Sequence, residues 1–213
     1  MAENAGHSTW CKICGITTLA DAEAAQAAGA DALGFNCFAD SPRFVDLDVL
    51  AELSRGVRIT RVGLFVNAGI SAVEAVLART ELDLLQFQGD EDEQFCSGFG
   101  LPYMKGVRMR ADVDVRAYAE QFSSAWALLL DAYVDGAPGG TGMQFDWQLW
   151  PQDLDCRLVL AGGLNPANVA DAITQLQPFG VDVCGGVEGP VKGQKDHHKI
   201  TAFLQEVRRV RRN

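Results

Sequence analysis

Basic residues are scarce in this chain of 213: 18 Lys and Arg stand against 28 Asp and Glu, a formal net charge of −10. A broad nucleic-acid or anionic-membrane surface needs a field of the opposite sign, so both partners are excluded. An anionic small molecule is not, because backbone amides and one or two Arg bind it locally. The single basic cluster, "VRRVRRN" at the C-terminus, reads as a helix end whose Arg favour the negative pole of the dipole, with an anion contact as the alternative. No apolar run approaches the roughly 20 residues of a membrane span. The opening "MAENAGHST" lacks the basic and apolar regions of a secretory signal. A cytoplasmic location with reduced cysteines is therefore expected. No linker interrupts the chain, and 48% hydrophobic residues are enough for one sizeable core, so residues 1–213 read as a single domain.

What is present is an alternation of short β-rich runs and helical patterns. The runs "WCKIC", "ALGFNCF", "ITRVGLFV", "LDLLQF", "PYMKGV", "WALLLD", "CRLVLA" and "GVDVC" read as strands. Thr18 with Asp21 has the spacing of a helix start before "LADAEAAQAAG", which Gly29 ends. Further helices are expected over "LDVLAELSR", from Ser71 with Glu74, over Val113 to Phe122, and at "FDWQLW" after the Gly-rich "DGAPGGTG". Asn165 and Pro166 suit an N-cap and first helical position, and the last helix carries Ile200, Phe203, Leu204, Val207 and Val210 on one stripe. Eight strand–helix units predict parallel strands with crossover helices. They close into an α/β single-domain (β/α)8 TIM barrel with its chemistry at the C-terminal strand ends. The rival, an open doubly wound sheet, would favour G-x-G-x-x-G after the first strand, and that motif is absent.

Cys11 and Cys14 have the spacing of a zinc knuckle or a redox motif. On a strand, however, they face opposite ways with Cα atoms about 10 Å apart, whereas a disulfide needs roughly 7 Å or less. No second Cys/His pair of matching spacing appears, and the adjoining His197 and His198 are poorly spaced for one shared ion, so no metal is expected. Cys14 ends the first strand before Gly15, which directs its thiol to the mouth of the barrel. A nearby helix N-terminus would lower its pKa from about 8.5. The alternative is a small buried hydrophobe.

The ordered pieces "KICGIT", "GADALGF", "SPRFV", "VGLFVN", "LLQFQGDE", "LLDAY", "GGTGMQFDW", "LAGGLNPANV", "VDVCGGVE" and "KDHHKI" cover almost the whole chain, one after nearly every strand. In that order the sequence resembles the phosphoribosylanthranilate isomerase family of tryptophan biosynthesis. The resemblance implies an Amadori rearrangement of N-(5′-phosphoribosyl)anthranilate, an aminoaldose, to the aminoketose, with no cofactor. It implies Cys14 as general base and Asp131 as general acid. It assigns Arg43 to the anthranilate carboxylate, for which a guanidinium fork is suited. Read from the residues, Asp131 shares a strand face with Ala127 and Leu129 and points to the same mouth as Cys14, where desolvation raises a carboxyl pKa. A helix-capping carboxylate is the alternative.

The phosphate of such a substrate is expected between the loops after strands seven and eight, where Gly162, Gly163, Gly185 and Gly186 permit close backbone approach. Gly139 to Gly142 would fold over the substrate, as the family loop does, or serve as a flexible connection. Alternation also turns Lys12 into the barrel below Cys14, where an unpaired ammonium is costly. Asp182, inward on strand eight, is its expected partner and joins the candidate substrate-binding residues. Two departures from the family pattern stand out. Gln88 replaces the His of Leu-His-Gly-Asp, and Cys184–Gly185 replace the paired serines before Gly-Val-Glu, so neither the imidazole nor the hydroxyls carry over. The expected partner is a small phosphorylated substrate, for a monomer or homodimer. A histidine-pathway aminoaldose isomerase and a non-catalytic phospholigand-binding barrel are the alternatives.

Overall fold

Alternation along β1 (Trp10–Cys14) divides two packing environments. Cys11 and Ile13 are buried with Ala22 and Ala25 of α1 (Leu19–Ala28), in the layer between strands and helices. Trp10, Lys12 and Cys14 turn to the barrel axis. The computed structural model describes residues 9–132 and 146–211. In it β2 (Ala32–Asn36), β3 (Thr60–Phe65), β4 (Leu84–Phe87), β5 (Tyr103–Met109), β6 (Ala127–Ala132), β7 (Leu158–Leu160) and β8 (Gly180–Val183) follow β1. Every neighbouring pair is parallel, and β8 closes on β1 with Lys12 opposite Asp182. The outer layer is α1, α2 (Leu47–Gly56), α3 (Ile70–Leu77), α4 (Glu93–Ser97), α5 (Val115–Gln121), α6 (Val169–Leu176) and α7 (His197–Arg211).

The barrel interior is filled in layers. Its floor is aromatic: Trp10 and Trp126 meet edge to face at 5.3 Å, Trp126 and Phe179 at 5.4 Å, and the Arg157 guanidinium lies 5.1 Å from the Trp126 ring. Gly180 is required there, because a Cβ would come within 2.9 Å of Trp10. Above the floor, Ala32, Val62, Leu84, Met104, Ala127, Leu129, Val159 and Ala161 form a buried apolar cluster. The next level up is polar, with Lys12, Gln86 and Asp182 all buried. The floor thus seals one end, and the polar level opens toward the other.

Helix starts follow local side-chain bonds. Thr18 Oγ1 accepts from the Asp21 amide, and Asp46, Asp92 and Asp114 cap α2, α4 and α5 in the same manner. Three expectations are corrected. The helix foreseen from Ser71 begins at Ile70 with Gly69 as cap, because Asn67 is left-handed (φ 49°) and tied by its amide to Glu91, which ends the loop earlier. Asn165 does not cap α6, whose cap is Asn168; Asn165 instead accepts from the Ala167 amide in the preceding turn. "FDWQLW" carries a single 3₁₀ turn at Trp147–Leu149, since Pro151 forces Trp150 into extended backbone. The loop Gly139 to Gly142 lies outside the described residues.

Candidate active site

One cavity opens at the C-terminal ends of the strands, and Cys14, Arg43, Asp131, Gly162, Gly163, Asp182, Gly185 and Gly186 all border it. Strand geometry brings them together. Cys14 is the last residue of β1 and Asp131 lies one residue before the end of β6, each at an inward position. Cys11 is on the opposite face of β1 from Cys14, so the C-x-x-C spacing does not gather two thiols.

The base of the cavity is a charge cluster. Lys12 Nζ lies 2.9 Å from Asp182 Oδ1, with the ammonium fully buried. Gly34, opposite Cys14 on β2, leaves room for both β1 side chains: a Cβ there would lie 2.8 Å from Cys14 Sγ and 3.0 Å from Lys12 Nζ. Burial works against the Lys12 charge, but Asp182 and Cys14 outweigh it and raise the ammonium pKa. Burial pushes the Asp182 carboxyl up to about 7, opposed by Lys12 and reinforced by Cys14. The Cys14 thiol is driven the other way. A hydrogen bond with Cys184 holds it well below the ordinary thiol value, with Lys12 and Lys195 assisting against burial.

Asp131 faces this thiol from β6. Burial pushes its carboxyl up to about 6; the Ala132 amide opposes and the Cys14 charge adds to the rise. Gln88 Nε2 donates to Asp131 Oδ2 at 3.3 Å, and Gln88 Oε1 accepts from Gln86 Nε2 at 2.9 Å. Gly106 is what admits Gln88, because a Cβ would sit 2.3 Å from Gln88 Oε1. The residue that departs from the family pattern therefore holds the candidate acid, a contact across 43 residues of sequence. In the sequence Gln88, one residue past the end of β4, stood out as a departure from the family pattern and not as a partner of Asp131.

Arg43 reaches the cavity from the loop after β2, and its fork is already half engaged. Nε and Nη2 donate to Glu188 Oε1 and Oε2 at 2.6 and 2.9 Å. Its remaining Nη hydrogens form the edge left for a second carboxylate. Lys195 Nζ donates to Glu188 Oε1 at 3.3 Å and to the Cys184 carbonyl at 3.0 Å. Burial opposes the Glu188 charge, yet Arg43 and Lys195 hold its pKa below the ordinary value. Glu188 and Lys195 were not singled out in the sequence, where 145 residues separate Arg43 from its carboxylate.

The loops after β7 and β8 meet backbone to backbone: a Cβ on Gly186 would lie 1.8 Å from the Leu164 carbonyl oxygen. Gly162 and Gly163 are left-handed (φ 82° and 65°), conformations that favour glycine. The Gly163 carbonyl accepts from Asn168 Nδ2 at 3.0 Å and from Asn165 Nδ2 at 3.3 Å. Those two amides hold the loop in a shape where side-chain-free backbone borders the cavity.

A family model described as N-(5'phosphoribosyl)anthranilate (PRA) isomerase matches residues 11–206. An N-(5'-phosphoribosyl)anthranilate isomerase of Pseudomonas fluorescens is 50% identical over 199 residues, 92% of this chain and 97% of that relative. The solved phosphoribosyl anthranilate isomerase of Thermotoga maritima superposes with a TM-score of 0.85 at 33% identity, covering 94% of this chain and 98% of that one. A similar solved enzyme, in complex with reduced 1-(o-carboxyphenylamino)-1-deoxyribulose 5-phosphate, gives a TM-score of 0.80 at 31% identity over 94% of this chain and 98% of that one.

Proposed function

The chain belongs to the N-(5'-phosphoribosyl)anthranilate isomerase family, and we infer that it converts this aminoaldose to 1-(2-carboxyphenylamino)-1-deoxyribulose 5-phosphate in tryptophan biosynthesis. It acts as one domain over residues 1–213, in the cytoplasm; no helix among the described residues is long and apolar enough to cross a membrane. The observation that carries the reading is the opposition of Cys14 and Asp131 across one cavity, the thiol driven toward thiolate and the carboxyl toward its acid form.

In the proposed cycle the Asp131 carboxyl protonates the ribose ring oxygen as the C1–O bond breaks, leaving a Schiff base. The Cys14 thiolate then takes the proton from C2, and the electron pair moves into a C1–C2 double bond to give the enolamine. Ketonisation returns the enol proton to Asp131 and the thiol proton to C1, so both groups are reset. Gln88 holds the Asp131 oxygen that it touches, and Lys12 with the Cys184 hydrogen bond keeps Cys14 ionised. The backbone around Gly162, Gly163, Gly185 and Gly186 receives the phosphate, with Lys195 behind the β8 loop. The remaining edge of Arg43 receives the anthranilate carboxylate. Asp182, which borders the same cavity, is assigned to the substrate hydroxyls.

The test follows anthranilate-type fluorescence after freshly made substrate is mixed with the enzyme. Its loss is expected well above the spontaneous rate; binding without acceleration would instead identify a non-catalytic barrel. In the same assay Arg43→Ala is expected to raise KM on the order of tenfold or more, as loss of a charge-assisted contact worth about 1.5–3 kcal/mol implies, with a smaller change in kcat. A fall in kcat at unchanged KM would remove Arg43 from ground-state carboxylate binding.

A further inference from the structure

Cys184 borders the charge cluster, and the proposed cycle uses it only as a neighbour of Cys14. It is half-buried, and its thiol reaches the cavity beside Cys14. The seam brings the two cysteines near each other. Ile13 pairs with Val183 across β1–β8, and Cys14, the last residue of β1, and Cys184, the first beyond β8, each follow that pair directly. Both project inward, as do Lys12 and Asp182 two residues before. The strands carrying the preceding pair lie about 4.8 Å apart, so the two cysteines leave the sheet from positions near the roughly 4.4–6.8 Å that Cα atoms of a disulfide span. Both thiols border the same cavity, and Cys184 Sγ lies 3.9 Å from Glu188 Oε1. Gly15 keeps the space between them and Arg43 clear, since a Cβ there would come within 2.9 Å of Cys184 Sγ and 2.8 Å of Arg43 Cδ. Lys195 Nζ lies 3.7 Å from Cys184 Sγ.

We propose that Cys14 and Cys184 form a reversible thiol switch, in which a hydroperoxide such as hydrogen peroxide oxidises Cys14 and Cys184 resolves it as a disulfide. The Cys14 sulfur attacks one peroxide oxygen and the O–O bond breaks. The sulfur becomes a sulfenic acid, and the departing hydroxide takes a proton to leave as water. Cys184 then attacks that sulfur, the S–O bond breaks, and a second water leaves with the Cys184 proton. Two sulfurs have lost two electrons in total, and one peroxide has been reduced to two waters. The order is set by the site. While Cys14 is a thiolate, its hydrogen bond and charge keep the Cys184 proton in place. Once Cys14 is a neutral sulfenic acid that restraint is gone, and Lys195 and Arg43 favour the Cys184 thiolate. The disulfide removes the proposed base, so the enzyme is off until a thiol reductant restores both cysteines.

The cross-link is read by mass, so it fails or succeeds independently of the assigned reaction; only the activity readout rests on that reading. Wild-type protein is treated with hydrogen peroxide and digested without reduction. A Cys14–Cys184 linked peptide is expected, with two of the six thiols lost together, turnover lost in parallel, and both restored by dithiothreitol. In Cys184→Ser, the Cys14 sulfenic acid should be trapped by dimedone in higher yield than in wild type. Excess peroxide should then inactivate the variant beyond rescue by dithiothreitol, each protein being scored against its own untreated rate. Dimedone labelling of wild-type Cys14 after peroxide with no linked peptide would overturn the proposal. So would full recovery of Cys184→Ser after excess peroxide.

Discussion

Replacing Cys14 with serine is expected to lower kcat by about 10²–10⁴-fold, the range typical of a lost general base. A hydroxyl in that position cannot be held as an anion by Cys184 and Lys12, whereas the thiol is. Asp131→Asn is expected to lower kcat on the same order, because the amide has no proton to give the ring oxygen. The two substitutions differ in what they do to stability. Asp131 has its carboxyl raised from 3.8 to about 6 by burial, so the folded state binds a proton more tightly than the unfolded chain. Its contribution to folding is fully present below about pH 4 and is lost as pH rises through about 6. At about 1.4 kcal/mol per pKa unit, the cost of keeping that carboxylate charged at pH 8 reaches about 3 kcal/mol. Asp131→Asn should therefore be more stable than wild type at pH 8, by up to that amount, and lose its advantage near pH 4. Urea midpoints at the two pH values measure this; a difference that does not vary with pH would contradict the raised carboxyl.

Lys12→Met is expected to be the most destabilising single change at the site. Lys12 is fully buried, and removing one partner of a buried pair costs about 3–5 kcal/mol because the other charge is left unpaired. The loss is expected to depend on pH with a definite sign. Asp182 already has its carboxyl raised to about 7 with Lys12 present, and without the ammonium it rises further. Near pH 5 the carboxyl is protonated and nearly neutral in cost. Between the wild-type value of about 7 and its own higher value, each pH unit adds about 1.4 kcal/mol to the deficit relative to wild type. The deficit of Lys12→Met should thus be smallest near pH 5 and largest above pH 8. Adding Asp182→Leu should recover most of it, since a buried pair replaced by apolar side chains is often neutral or stabilising. A Lys12→Met deficit equal at all pH values, or a double variant less stable than the single one, would contradict the pairing.

The parts of this site legible in the sequence are those governed by a two-residue strand period. Alternation separates Cys11 from Cys14, turns Lys12 inward below the thiol, and places Asp131 on the face of Ala127 and Leu129; all of this follows from which residues lie on β1 and β6. The closure of β8 on β1 likewise follows from the count of strand–helix units, and it brings Asp182 to Lys12. Contacts decided by loop geometry were not legible. Glu188 meets Arg43 because the turn after β8, the loop after β2 and Lys195 converge in space, and no local pattern encodes that convergence. Gln88 was visible only as a departure, and its bond to Asp131 depends on Gly106 one strand away. Helix starts erred where a competing loop bond ended the turn first, as at Asn67 before α3 and Asn165 before α6.

Cys184 changes the meaning of that second departure. A serine hydroxyl would offer a hydrogen bond alone, whereas a thiol at this position both supports the Cys14 thiolate and brings a second sulfur to the same cavity. Its place against Lys195 and Arg43 joins the proposed base to the charge network behind the phosphate loops.

The central claim is that Cys14 is held as a thiolate and is the base. Its most direct measurement is the pH dependence of iodoacetamide modification at Cys14, quantified by peptide mass, with turnover recorded on the same samples. Half-maximal reactivity is expected well below the ordinary thiol value of about 8.5, and turnover should fall in proportion to Cys14 modified. A Cys14 that titrates like an ordinary thiol, or an enzyme that keeps its turnover with Cys14 fully carbamidomethylated, would contradict the account.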